Sequence, residues 1–366
     1  MKLISLILCA LVAASLSVIA GTPQGAERIV KECRLAELEW QQQMLAARTA
    51  AQKSAVMKRR PDLGMYSSEM VAEIGNALNQ KWTMPYIIWL LNYHGGLTNS
   101  EVNNLIGLIE KFHMNSPMLG EFCIALAPAG NSTGQPAQAS IDGKVVNLTM
   151  EKIRFIESII NSKRSKSLRG QACLALSGVL ASMGDSGEIN KRRLDLIRKA
   201  IINAAETKVG ELTVADLAKE EIYRMSKLSK RAAAPDLIGR DSRSQPMRLS
   251  DFRGKVVVLV FWTSWEQPIE VLDYLRKIEK SFLGKKVQIV GVNRDSLSDL
   301  REIEMAQKTS GKNFSDPNGE LYKVYRVTDS PVCYVLDDKG VIQYNGRLGS
   351  FVDLTVSALL APASDK

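Results

Sequence analysis

Histidine is nearly missing from this chain: two residues, His94 and His113, in 366. That supply excludes histidine-rich metal sites. Cysteine is also sparse. Of five, Cys9 lies in the N-terminal apolar segment, leaving Cys33, Cys123, Cys173 and Cys333, far apart and in no zinc-binding spacing. Their even number permits disulfides without demanding them. Three of the four fall in helical sequence, where a buried, apolar thiol is the common role. Beyond the N-terminus no apolar run approaches the roughly 20 residues of a membrane helix. No metal, no cofactor and no stable membrane span are therefore expected.

Acidic residues are the scarcer charge, 39 against 48 Lys and Arg, for a net charge of +9. The excess lies in residues 22–234, while 235–366 is nearly balanced. It reads as solvated helix faces. The basic clusters "NSKRSKSLRG" and "NKRRLDLIRK" carry no interleaved aromatics on which bases could stack, so no nucleic-acid partner is expected.

What is present fits a soluble chain of two domains: 45% apolar and 24% charged residues over a length that exceeds one typical domain. "MKLISLILCALVAASLSVIAG" combines an early lysine, an apolar core and small residues Val18 and Ala20. This reads as a signal peptide over residues 1–20, cleaved after Ala20. The mature chain is then expected in the periplasm or outside the cell, where thiols can be oxidised.

Residues 24–230 read as an all-α domain. "AERIVKECRLAELEWQQQMLAARTAAQKSAVMKRR" has no proline before Pro61 and places Ile29, Cys33, Ala36 and Trp40 at helical spacing, which predicts one long helix. Further helices are predicted near 68–80, 84–94, 99–113, 117–127, 149–162, 165–183, 189–206 and 213–229. The turn-rich stretch 128–143 predicts an exposed loop. Pairs of helices in this style suggest a solenoid-like array, though no clean repeat period is present, and such arrays present binding surfaces. "GDSG" at 184–187 resembles a serine-protease nucleophile segment. It sits between helices without β-rich surroundings, and a helix-ending glycine with an N-capping serine accounts for it.

The texture changes at "RAAAPDLIGRDSRSQPMRLSDFRGKVVVLVFW". A linker leads into a buried strand at 255–262. A proline-led helix from Pro268, a second strand "KKVQIVGVN", a helix at 296–310 and a short helix after "SDPNG" follow. "PVCYVLDDKGVIQYNG" predicts a hairpin, and a last helix covers 351–361. This order describes an α/β domain over 235–362, a parallel strand–helix–strand unit running into an antiparallel hairpin.

"APDL", "LSDFRGKVVVLVFW", "SW", "QP", "VGVN", "DPNGELYKVYRV" and "YVLDDKGVIQYNGRLG" together resemble the thioredoxin-like superfamily, in the branch of TlpA-type secreted thiol–disulfide oxidoreductases and AhpC/TSA peroxidases. The helical region also resembles, more distantly, the one preceding such domains in some envelope proteins. In that family the turn after the first strand carries W-C-x-P-C: a thiolate nucleophile at a helix N-terminus, then a resolving cysteine. Here "WEQPI" stands in its place. Trp265 and Pro268 match, while Glu266 and Ile269 occupy the two cysteine positions and Val260 replaces the buried acid. A carboxylate cannot attack a disulfide, nor isoleucine resolve one, so no catalytic residue is expected at this turn. Glu266 is instead expected to cap the following helix. Pro331 corresponds to the family's cis-proline, and Cys333, two residues beyond it in the expected strand, reads either as a buried strand residue or as a lone thiol beside the groove. The resemblance thus implies a substrate groove built of Trp265, Pro268, Pro331 and Cys333. The function expected is non-catalytic protein binding or scaffolding, with a polypeptide or envelope protein as partner. The alternative is oxidoreductase or peroxiredoxin-like antioxidant activity through Cys333 or another cysteine.

Overall fold

Capping residues divide the first half into short helices. A computed structural model describes residues 21–93, 97–127, 138–141, 144–266, 268–306 and 311–361; the leader expected at 1–20 lies outside them. Helix α1 (Pro23–Ala46) opens on Thr22, whose hydroxyl accepts from Gly25 N at 3.0 Å. It buries Ala26, Ile29 and Cys33, the face the spacing indicated. The single long helix expected to reach Arg60 does not form. Ala47 turns to extended backbone, and a capping box between Thr49 and Gln52 starts a separate helix, α2 (Ala50–Met57). The reciprocal side-chain bonds of that box satisfy donors a continuous helix would not free, which favours the restart.

The array continues through α3 (Leu63–Ile74), α4 (Met84–Asn92), α5 (Asn99–Leu108), α6 (Leu119–Ala125), α7 (Leu148–Ile160), α8 (Lys166–Ala181), α9 (Gly187–Ala204) and α10 (Val214–Tyr223). At the end of the stretch expected as loop, β1 (Gln138–Ile141) pairs antiparallel with β2 (Lys144–Asn147), which lies just beyond it; residues 128–137 and 142–143 lie outside the description. Small side chains on α8 let α9 come close: a Cβ on Gly170 would sit 2.5 Å from that of Ala204. At "GDSG", Gly184 takes φ +117 and the Ser186 hydroxyl accepts from Ile189 N, a turn and an N-cap. A two-residue ribbon, β3 (Lys208–Val209) with β4 (Leu212–Thr213), precedes α10.

The second half opens with a ribbon of β5 (Ile238–Arg240) and β6 (Pro246–Arg248). Its main sheet contains β7 (Val256–Trp262), β8 (Val287–Asn293), β9 (Lys312–Ser315), β10 (Val332–Leu336) and β11 (Ile342–Gly346), in the order β11-β10-β7-β8-β9. β7, β8 and β9 run parallel; β10 is antiparallel to both β7 and β11. Helices α11 (Pro268–Ser281), α12 (Leu297–Met305), α13 (Glu320–Val324) and α14 (Ser350–Leu360) accompany it. β9 was not anticipated, because "KNFS" is short and polar at the sheet edge.

Every residue of β7 is buried. Val257, Leu259 and Phe261 join a core with Tyr322, Tyr325 and Tyr334; Val256, Val258, Val260 and Trp262 join another with Leu275, Ile278 and Val356. A strand covered on both faces explains the unbroken apolar run. The first of these cores also contains Leu228, from the turn that follows α10. Around it, Tyr223 donates to Val324 O at 2.8 Å and Arg326 pairs with Glu220, its guanidinium 4.1 Å from the Tyr223 ring. The second packing unit thus begins before residue 235.

Gly291 in β8 allows a polar contact through the core. Trp262 Nε1 donates to Asn313 Oδ1 at 3.2 Å, and Asn313 Nδ2 to Glu304 Oε1 at 3.0 Å. A Cβ on Gly291 would lie 2.0 Å from Asn313 Oδ1 and 2.7 Å from Trp262 Nε1. Gly291→Ala is expected to lose about 1–3 kcal/mol of stability, read as a lower urea midpoint at unchanged slope; an unaltered midpoint would show that Asn313 moves aside freely.

Candidate functional site

Parallel strands deliver their C-terminal ends to one edge of a sheet, and in open α/β folds sites form there. At that edge β7 ends on Trp262, paired in register with Asn293 at the end of β8. Their carbonyls are not left open. Tyr322 Oη donates to Trp262 O at 3.0 Å, and Asp316 N donates to Asn293 O at 2.8 Å. The chain then enters the turn Thr263–Glu266 and the helix α11.

An acidic residue holds this turn from beneath. Asp295 has no solvent exposure. It accepts from Ser264 N at 3.2 Å, from Ser264 Oγ at 3.0 Å and from Asn293 Nδ2 at 2.8 Å. Burial raises its pKa above the ordinary carboxylate value, with the donated bonds opposing that rise. Sequence reasoning missed this residue; its one signal was the "NRD" that ends the second strand.

Trp265 is almost covered, at 8% exposure. Part of the cover comes from the helical half: Lys53 of α2 sets its Nζ 4.0 Å from the centroid of the Trp265 ring. Beside it, Ala50 N donates to Asp299 Oδ2 at 2.9 Å. Burial lowers the Lys53 pKa, while the negative charge of Asp295 pulls the other way. Nothing in the sequence signalled this pairing, since more than two hundred positions separate its partners.

Glu266 was expected to cap α11. Among the described residues its side-chain partner is elsewhere: the Ser330 hydroxyl donates to Glu266 Oε2, while Glu266 N donates to Thr263 Oγ1 at 3.2 Å. The carboxylate thereby ties the turn to the loop before Pro331, and the Ser330–Pro331 bond is cis, as the resemblance implied. Pro331 is half-buried. Pro268 and Ile269 open α11, and their side chains fall outside the description.

Cys333 requires a correction. Placed in the groove by the resemblance, it lies in β10 opposite Val260 with no exposure, inside the core shared with Val335, Val271 and Leu272. Helix α11 covers that face of the sheet, so the thiol meets apolar side chains instead of solvent. Burial pushes its thiol well above the usual cysteine pKa. Cys123, equally enclosed, is raised to about 12, and Cys33 to about 11, in each case first by burial. All four are free thiols. Among the described residues, no group of three or more His, Cys, Asp or Glu side chains could hold a metal ion, and no helix is long and apolar enough to cross a membrane.

A strand buried on both faces, a helix leaving the turn at its end, a cis-proline loop beside that turn and an antiparallel hairpin define a thioredoxin-like domain. Residues 231–345 match the AhpC/TSA family. Thiol-disulfide oxidoreductase ResA of Bacillus thuringiensis subsp. konkukian is 28% identical over 117 residues, covering 30% of this chain and 64% of that protein. The thioredoxin-like protein YneN of Bacillus subtilis is 30% identical over 115 residues, covering 30% and 66%. Among solved structures, a putative thiol:disulfide interchange protein DsbE from Chlorobium tepidum aligns at 25% identity and a TM-score of 0.33, over 36% of this chain and 99% of that one. The chain spans less than two thirds of the length of the ResA relative, and the helical half lies outside the family match.

Two measurements check this site. In the native protein Cys33, Cys123, Cys173 and Cys333 should resist alkylation at neutral pH and all react after unfolding, read by mass spectrometry; rapid native labelling of Cys333 would contradict its burial. The second concerns Asp295. Because its folded pKa is raised, the folded state holds the proton more tightly than the unfolded chain. That contribution to stability is whole below about pH 4 and is lost as pH rises through the folded value. The stability of the wild type minus that of Asp295→Asn should therefore fall as pH rises above about 4; a rise would reverse the assignment.

Proposed function

We propose that this is an exported thioredoxin-fold protein whose redox motif is degenerate and whose role is to bind or scaffold polypeptide in the cell envelope. The observation that carries the reading is the chemistry of the turn. Exchange requires a thiolate able to attack a disulfide sulfur, and a peroxidase requires one to attack peroxide. At the two positions where relatives of this kind carry cysteine, the chain has Glu266 and Ile269. Glu266 is occupied in bonding Ser330. The nearest cysteine in sequence, Cys333, is enclosed by apolar side chains and held as a thiol.

The retained frame supports a binding role. Trp265 and Pro331 keep the positions at which such a fold meets extended chain, without a reagent between them. The helical half supports it from another direction. Its principal contacts are between each helix and its next or next-but-one neighbour, as in α6 with α8, α7 with α8, and α8 with α9 and α10. A solenoid-like array would have such neighbours, and arrays of that kind offer extended surfaces to partners. Export rests on the leader sequence at 1–20.

Relatives named as thiol–disulfide oxidoreductases favour a competing reading, and one experiment separates the two. Purified protein is incubated with insulin and dithiothreitol, and separately with peroxide and a thiol reductant. The expected outcome is no turnover above the uncatalysed rate in either assay. In parallel, anisotropy of labelled, reduced and carboxymethylated α-lactalbumin should report saturable binding. Turnover that disappears in Cys333→Ser would replace the binding reading with the catalytic one.

A further inference from the structure

We infer that the helical half closes the groove of the thioredoxin-like domain in cis, through the first turn of α2 seated on Trp265. The inference goes beyond the binding role proposed above, because it states what occupies the groove when no partner does.

Three contacts converge there. Lys53 lies over the Trp265 ring at 4.0 Å. Ala50 N, one of the unpaired amides of a helix start, donates to Asp299 Oδ2 at 2.9 Å. Asp299 is fixed in turn at the start of α12, accepting from Ser296 Oγ at 2.8 Å. A lysine drawn half out of water onto an aromatic face gains from the ring quadrupole and from nearby carboxylates. Here the carboxylates are Asp295 and Asp299, with Arg294 opposing them.

The local sequence is built to present this turn. The helix breaks at Ala47 and restarts at Thr49, which sends the first turn of α2 toward the second domain. An uninterrupted helix would carry Lys53 along the axis of α1. At the next residue, Glu266 joins the loop of Pro331 through Ser330. Trp265 is left only 8% exposed, with Lys53 over its ring. An extended polypeptide approaching Trp265 and Pro331 must first displace Lys53.

Competitive lysine acylation of the full-length protein with N-hydroxysuccinimidyl acetate, mapped by mass spectrometry, tests the closure. Lys58, exposed one turn further along the chain, is the internal standard. Lys53 should react several-fold more slowly than Lys58 in the wild type and approach the Lys58 rate in Trp265→Ala. Equal rates in the wild type would overturn the inference. Lys53→Glu, which sets a third carboxylate against Asp295 and Asp299, should open the groove without touching the core. It is expected to bind carboxymethylated α-lactalbumin at least several-fold more tightly than the wild type. Equal, measurable binding by both would also overturn the closure. Should neither protein bind while Lys53 remains protected, the closure stands and the polypeptide-binding role fails.

Discussion

A strand covered on both faces has no side chain left to give to solvent, so whatever chemistry it offers must be placed at its end. β7 imposes that constraint here. Its seven residues are all enclosed, and the two cores of the second domain are defined by which way each points. In the turn at 263–266, Ser264 and Glu266 are the first side chains after β7 to reach water. Asp295 and Tyr322 complete its underside, one accepting from the turn and the other donating to the last carbonyl of β7. Asp295 and Tyr322 make these bonds to Ser264, Asn293 and the Trp262 carbonyl. None of them uses the side chain of Glu266 or Ile269, so those two residues stand at the turn without taking part in the brace.

Much of that frame was legible in the sequence for the same reason. A continuous run of Val, Leu and Phe ending in Trp262 admits few readings, and the proline-led helix and the hairpin at "DDKG" carry local signals. Pro331 was anticipated as cis from its family position. The helices of the first half were also visible, since periodicity and caps are local properties. Their interruption at Ala47–Thr49 was not, because neither residue breaks a helix on its own; the capping box of Thr49 with Gln52 decides it.

The site was less legible. The resemblance set Glu266 and Ile269 at the family's two cysteine positions, but could not say what Glu266 does there. Its partner Ser330 is brought alongside by the loop before Pro331, and local helix-capping logic pointed elsewhere. Cys333 was set in the groove by its nearness to Pro331 along the chain, yet the strand carries it beneath Val271 and Leu272 of α11, in the core. Lys53 and Asp299 lie in different domains, and only folding brings them together.

The turn after α10 has a consequence of its own. Leu228 sits in the same core as Val257, Phe261 and Tyr334, and Tyr223 and Glu220 clasp Arg326 from the helical side. The seam between the halves therefore runs through packed interior instead of an exposed tether. A gene fusion joined at residue 235 would leave a hole where Leu228 belongs, and one joined upstream of α10 would uncover Val214 and Ala218 in the helical core. Either exchange costs packing on one side of that helix.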